Sequence, residues 1–349
     1  MVCFGIVEAC ISPLSASPIF NFTLGSGIHV GDQVYNGFVA AAGEWSALFT
    51  DNVTINVTID YKSLGSNILG STSNATYTYS YSDVRSLLAA DASSSTDAAA
   101  LAHLQSGNSL AFAVNHTSQC GNCSTPYDST GTKFDNTNVT ITGAEARALG
   151  LGIPSGNSDG SITFSSDYSF DFNPSDGISS GEYDFVGIAA HEIGHLLGFV
   201  STVDDFDICG HTPSDCNNQF ASENSEAPTA LDLFRYSTDS GFGTVMDLSA
   251  DNRGKYFSID GGATLGPLFA DGQYYGDGSQ ASHWKDNLGI GIMDPTAAPG
   301  ERLSISQNDV KALDVIGWNV ATPEPASTSL LILGGALTLL RRKYTRRNS

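Results

Sequence analysis

Basic residues are scarce in this chain. Fifteen Lys and Arg face thirty-seven Asp and Glu, for a formal charge of −22. None of the fifteen precedes Lys62, and five (Arg341, Arg342, Lys343, Arg346 and Arg347) crowd the last nine positions, so the body is more acidic than the total implies. Such a surface repels phosphates and argues against a nucleic-acid partner. Charged residues are only 15% of the chain, which excludes a highly charged disordered polymer. No stretch matches a twelve-residue EF-hand loop, so Ca2+ has only scattered Asp-rich loops in its favour. Internal repeats of solenoid period are absent. The apolar run over residues 326–340 spans fifteen positions, about 22 Å as a helix, against the ~30 Å of a bilayer core.

Both ends read as export machinery. Residues 1–18 are fairly apolar and finish among small side chains, but they lack a positive n-region and carry Glu8. A degenerate or truncated signal peptide is expected there. Cys3 and Cys10 would leave with it. The remaining cysteines form two close pairs, Cys120 with Cys123 and Cys209 with Cys216, which suits two local disulfides in an oxidising compartment. At the other end Pro323-Glu324-Pro325 precedes the apolar run and then the basic cluster. That order resembles a PEP-CTERM sorting signal over residues 321–349. The resemblance implies a bacterial exported protein, an exosortase-type processing enzyme as partner, a destination in the envelope or outside the cell, and membrane contact only through this segment.

Between these ends, residues 19–320 are expected to form one α+β domain. "YNGFVAAAGEWSALFTD" puts Phe38, Ala41, Trp45 and Leu48 on one helical face. In "NVTINVTIDYK", Val53, Ile55, Val57 and Ile59 alternate as in a strand with one buried face. Strand-then-helix patterns recur in "TYTYSYSDVRSLLAADA" and "NVTITGAEARALGL", "DAAALAHLQS" reads as a short helix, and "SDGSITFSSDYSFDF" as one or two strands. Ser179 and Glu182 are spaced as a capping box ahead of the next helix. Residues 200–282 are rich in Gly, Asp and Ser, with only "ALDLFRYS" and "GKYFSIDG" resembling strands. "SQNDVKALDVIGW" then closes the domain as a helix with Val310, Leu313 and Ile316 inward.

The chemistry concentrates in "AAHEIGHLLGF". His191 and His195 are four apart, so on a helix both imidazoles project from one face and can reach one ion. Glu192 lies about 100° round the helix, placed to act as general base on a metal-activated water and then as acid toward a leaving amine. Gly198 is positioned to end the helix. A catalytic zinc takes three protein ligands and keeps one position open. The histidine that often follows ten residues after the first is here Ser201. Local candidates for the third ligand are Asp204, Asp205, Asp207 and His211. A distant one is His283 in "SHWKDNLGIGIMDP", ten residues before Met293.

The succession of HEIGHLLGF, a long insertion, His283-Trp284 and "IMDP" resembles leishmanolysin-like metzincins, although the cysteine-rich pattern of leishmanolysin itself is absent. The resemblance covers residues 183–318. It implies a metzincin-like catalytic domain with a mixed twisted sheet, an active-site helix and a loop-rich C-terminal half. His283 would be the third Zn2+ ligand and Met293 the methionine of the turn beneath the metal. By analogy with other metalloproteases, Asp204 or Asp205 is the alternative ligand. The expected activity is zinc-dependent hydrolysis of peptide bonds in protein or peptide substrates. Two rivals are a non-catalytic envelope or matrix protein with a structural or vestigial zinc site, and a metallohydrolase acting on a non-peptide bond.

Overall fold

The computed structural model describes residues 16–114, 127–128, 135–211, 227–238 and 245–321. Cys120, Cys123 and Cys216, the side chain of Cys209, the sorting triad Pro323-Glu324-Pro325 and residues 1–15 of the expected signal lie outside them. In chain order the elements are β1 (Ile19–Leu24), α1 (Gln33–Ser46), β2 (Thr54–Lys62), β3 (Gly70–Asn74), β4 (Thr76–Ser80), α2 (Tyr81–Asp91) and α3 (Ser95–His103). There follow β5 (Phe112–Val114), β6 (Tyr127–Asp128), β7 (Asn138–Thr142), α4 (Gly143–Ala148), β8 (Gly160–Ser165), β9 (Phe170–Asp171), β10 (Tyr183–Asp184), α5 (Phe185–Leu196) and α6 (Val203–His211). The last are β11 (Arg235–Ser237), β12 (Val245–Leu248), β13 (Lys255–Phe257), β14 (Leu268–Phe269) and α7 (Gln307–Asp314).

This is an α+β arrangement, with seven helices among the described residues. One four-stranded sheet runs β1-β2-β8-β3, parallel except for β3, which lies antiparallel to β8 at the edge. Alternation builds it: Ile55, Val57 and Ile59 of β2 are buried together, while the residues between them are half-buried. Helices α1 and α5 pack side by side against the buried face. Phe38 of α1 meets Phe164 of β8 at 5.1 Å and Phe185 of α5 at 5.4 Å, both edge-on. Such rings bury large areas in the geometry their quadrupoles favour.

Four expectations need correction. The capping box of Ser179 and Glu182 does not cap α5. Ser179 donates to Asp171 instead, and Asp184, adjacent to the first helical residue, accepts the Gly187 N–H at 2.9 Å. The stretch after α5 is more than loops: β11 to β14 join β5 and β6 in a six-stranded sheet, ordered β14-β13-β11-β12-β5-β6. In "ALDLFRYS" only Arg235–Ser237 is strand, because Leu231–Phe234 form a 3-10 turn. Leu48 lies just past the end of α1. Among the described residues no helix is long and apolar enough to cross a membrane.

Candidate metal centre

Helix α5 is held on every side. Both oxygens of its N-cap Asp184 are used, one by Gly187 N–H and the other by Leu303 N–H at 3.0 Å. At its C-terminus Gly198 adopts φ +120°, which favours glycine. The N–H groups of Gly198 and Phe199 return to the carbonyls of His195 and Gly194 at 3.2 and 3.0 Å, a Schellman turn. The chain's three tryptophans are all buried around this helix. Trp45 Nε1 donates to Ala190 O and Trp318 Nε1 to Leu197 O, each at 2.8 Å, while Trp284 Nε1 reaches Asp309 at 2.7 Å.

Three imidazoles converge above the helix. Nε2 of His191, His195 and His283 stand 3.1, 3.2 and 3.3 Å from one another. Each Nδ1 faces a backbone carbonyl: Ile292 for His191 and Phe199 for His195, both at 2.7 Å, and Gln280 for His283 at 3.1 Å. A carbonyl can only accept, so each Nδ1 carries the hydrogen and each Nε2 presents a lone pair. Three lone pairs pointed at one another repel unless a cation stands among them. Donors about 2.0–2.1 Å from a tetrahedral zinc lie roughly 3.3 Å apart, which is the spacing seen. Burial, and then the neighbouring imidazoles, hold His195 down at about 3 and His283 well below its usual value. His195 and His283 are therefore neutral, as metal ligation requires. Imidazole nitrogen suits zinc and several other transition metals.

His283 is thus brought to His191 and His195. Asp204, Asp205, Asp207 and His211 are not part of the convergent group. Two of the aspartates instead clamp the segment that carries His283. Asp204 accepts the N–H groups of Ala281 and Ser282, and Asp207 those of Tyr274 and Tyr275. His211 stacks on Tyr274 at 4.2 Å. Met293 is fully buried, and a Cβ on Gly194 would sit 2.4 Å from its sulfur, so the glycine inside the motif is what lets the methionine turn approach. Buried Asp309 ties that turn to the His283 segment: beyond the Trp284 indole it accepts Ile292 N–H at 2.9 Å and Met293 N–H at 3.3 Å.

Glu192 is only 6% exposed. Burial raises its carboxyl above the ordinary range, opposed by its neighbour His191 and a hydrogen bond from Thr72. The three histidines and Glu192 line a cleft of about 700 Å³, and β3 forms one of its borders. Asp204, expected from the sequence as an alternative ligand, is instead a clamp on the His283 segment. Thr72, Gly70 and Asp309 have no signal in the sequence. Each is a small or acidic residue in a chain full of such residues, with no spacing to mark it. The chain matches no protein-family model, no curated protein and no solved structure.

Proposed function

We propose that this chain is an exported zinc-dependent endopeptidase with a metzincin-like catalytic domain. The observation that carries the reading is the ring of three Nε2 lone pairs, 3.1 to 3.3 Å apart, with a buried glutamate beside it in an open cleft. His191, His195 and His283 would hold the ion. When bound, zinc supplies Lewis acidity and lowers the pKa of water toward neutrality. A structural zinc site closes with four protein ligands, whereas among the described residues three donors converge here.

The protein's own groups supply the rest. Glu192 accepts a proton from the attacking water and returns it to the departing amine. Among the described residues strand β3 ends its sheet, and it runs along the cleft, so its outer edge can receive an extended peptide as an added strand. Main-chain pairing of that kind supports a peptide substrate over a small ester or amide. The carbonyls of Ile292, Phe199 and Gln280 keep the three imidazoles in the ligating tautomer. The expected signal peptide and exosortase-processed C-terminal segment would put such an enzyme in the envelope or outside the cell.

The test is casein hydrolysis by purified Glu192→Ala protein. The substitution should abolish cleavage while leaving the metal bound. Unchanged hydrolysis would contradict the assignment. Hydrolysis of small esters or amides with casein left intact would point instead to a non-peptide substrate.

A further inference from the structure

Successive side chains of a strand alternate between its faces, and on β3 the three that meet α5 are Gly70, Thr72 and Asn74. Asn74 Nδ2 donates to the His195 carbonyl at 3.2 Å. Thr72 Oγ1 lies 2.6 Å from Glu192 Oε2 and 3.0 Å from the Glu192 carbonyl. A hydroxyl has a single hydrogen, and a charged acceptor at the shorter distance takes it. That bond takes one lone pair of Oε2 and fixes the rotation of the carboxylate. The other oxygen, Oε1, lies against Gly70, where an added Cβ would come within 2.7 Å of it.

We propose that Thr72 is a positioning residue for Glu192, on the peptidase reading given above. Its hydroxyl fixes Oε2, so Oε1 is the oxygen that receives the proton when a water O–H bond breaks. The same oxygen gives the proton to the amine nitrogen as the peptide C–N bond breaks. Gly70 keeps Oε1 clear. An untethered carboxylate would share its time among orientations, and lost orientation is costly in a proton transfer that depends on hydrogen-bond reach. The strand that borders the cleft thereby also sets the angle of the general base.

The test compares full-length Thr72→Val, Thr72→Ser and wild type for zinc per chain, melting temperature of the metal-free protein, kcat and KM on a peptide. Valine keeps the shape and loses the hydroxyl. The expected result for Thr72→Val is wild-type zinc content, KM within about twofold, and kcat lower by roughly 10- to 100-fold. Its metal-free form should melt lower, because the buried carboxylate loses its donor. Thr72→Ser should restore both kcat and melting temperature. Wild-type kcat in Thr72→Val, or serine as slow as valine, would overturn the inference while the peptidase reading stands. Loss of zinc from Thr72→Val would also overturn it, since the hydroxyl would then be holding the helix rather than the carboxylate. A zinc-loaded wild type that cleaves no peptide sinks both.

Discussion

The backbone N–H of Ser201 donates to the hydroxyl of Ser282 at 2.8 Å. Residue 201 is the position ten after His191, and Ser282 immediately precedes His283. The place where a local third ligand would stand is therefore used to hold the segment that carries His283. The Ser201 hydroxyl in turn donates to buried Asp232 at 2.6 Å, which also accepts the Thr202 and Thr229 N–H groups.

Ser201→Ala should destabilise the protein by about 1–2 kcal/mol, because it leaves a buried Asp232 oxygen short of a donor. Denaturant unfolding measures this. Zinc affinity should change little, since alanine keeps the backbone N–H that holds Ser282. Ser201→His should not rescue His283→Ala, since the site at 201 is packed against Asp232 rather than open toward His191. Recovery of zinc binding in that double variant would show that the two positions are interchangeable.

Gly194→Ala tests the contact between the motif helix and the methionine turn. Alanine is normally the better helix residue by about 1 kcal/mol. Here its Cβ would fall 2.4 Å from Met293 Sδ, with Trp45 behind. A net loss of about 1–3 kcal/mol is expected from overpacking, together with weaker metal binding, since Ile292 orients His191 from the same turn. A thermal melt unchanged or raised would mean that Met293 moves aside freely.

A pH effect should come from a second place in the molecule. Burial, and next the charge of Asp97, holds Asp314 up at about 6; burial also holds Asp91 at about 6. A carboxyl whose folded pKa exceeds its unfolded value near 4 binds more protons when folded. Its contribution to stability is then greatest below about 4 and is lost as pH rises to about 6. Asp314→Asn should raise stability at pH 7 by about 1–2 kcal/mol and flatten the decline between pH 4 and 6. An unchanged slope across that window would show that Asp314 is not its source.

Much of the fold was legible because periodicity reports burial. Ile55, Val57 and Ile59 alternate and form β2, while Phe38, Ala41 and Trp45 recur at helical spacing and form the buried face of α1. The HEIGH segment announced α5 for the same reason. The cap was misread because Asp184 competes with Ser179, and only the residue next to the first turn can reach its N–H groups. The second sheet is hard to read because its strands are two to four residues long, and β5, β11 and β13 are buried at every position, so they leave no alternation. His191, Glu192 and His195 could be read from local spacing. His283 required the resemblance, since 88 positions separate it from His195. The supporting groups Thr72, Asp204 and Asp309 act through single hydrogen-bond geometries that spacing does not encode.

The most direct test of the central claim is metal content per chain, with casein hydrolysis, in wild type and His283→Ala side by side. Wild type should hold one zinc and cleave, and the folded variant should lose both. A folded His283→Ala protein that keeps its zinc and its activity would contradict the account and return the third ligand to Asp204 or Asp205.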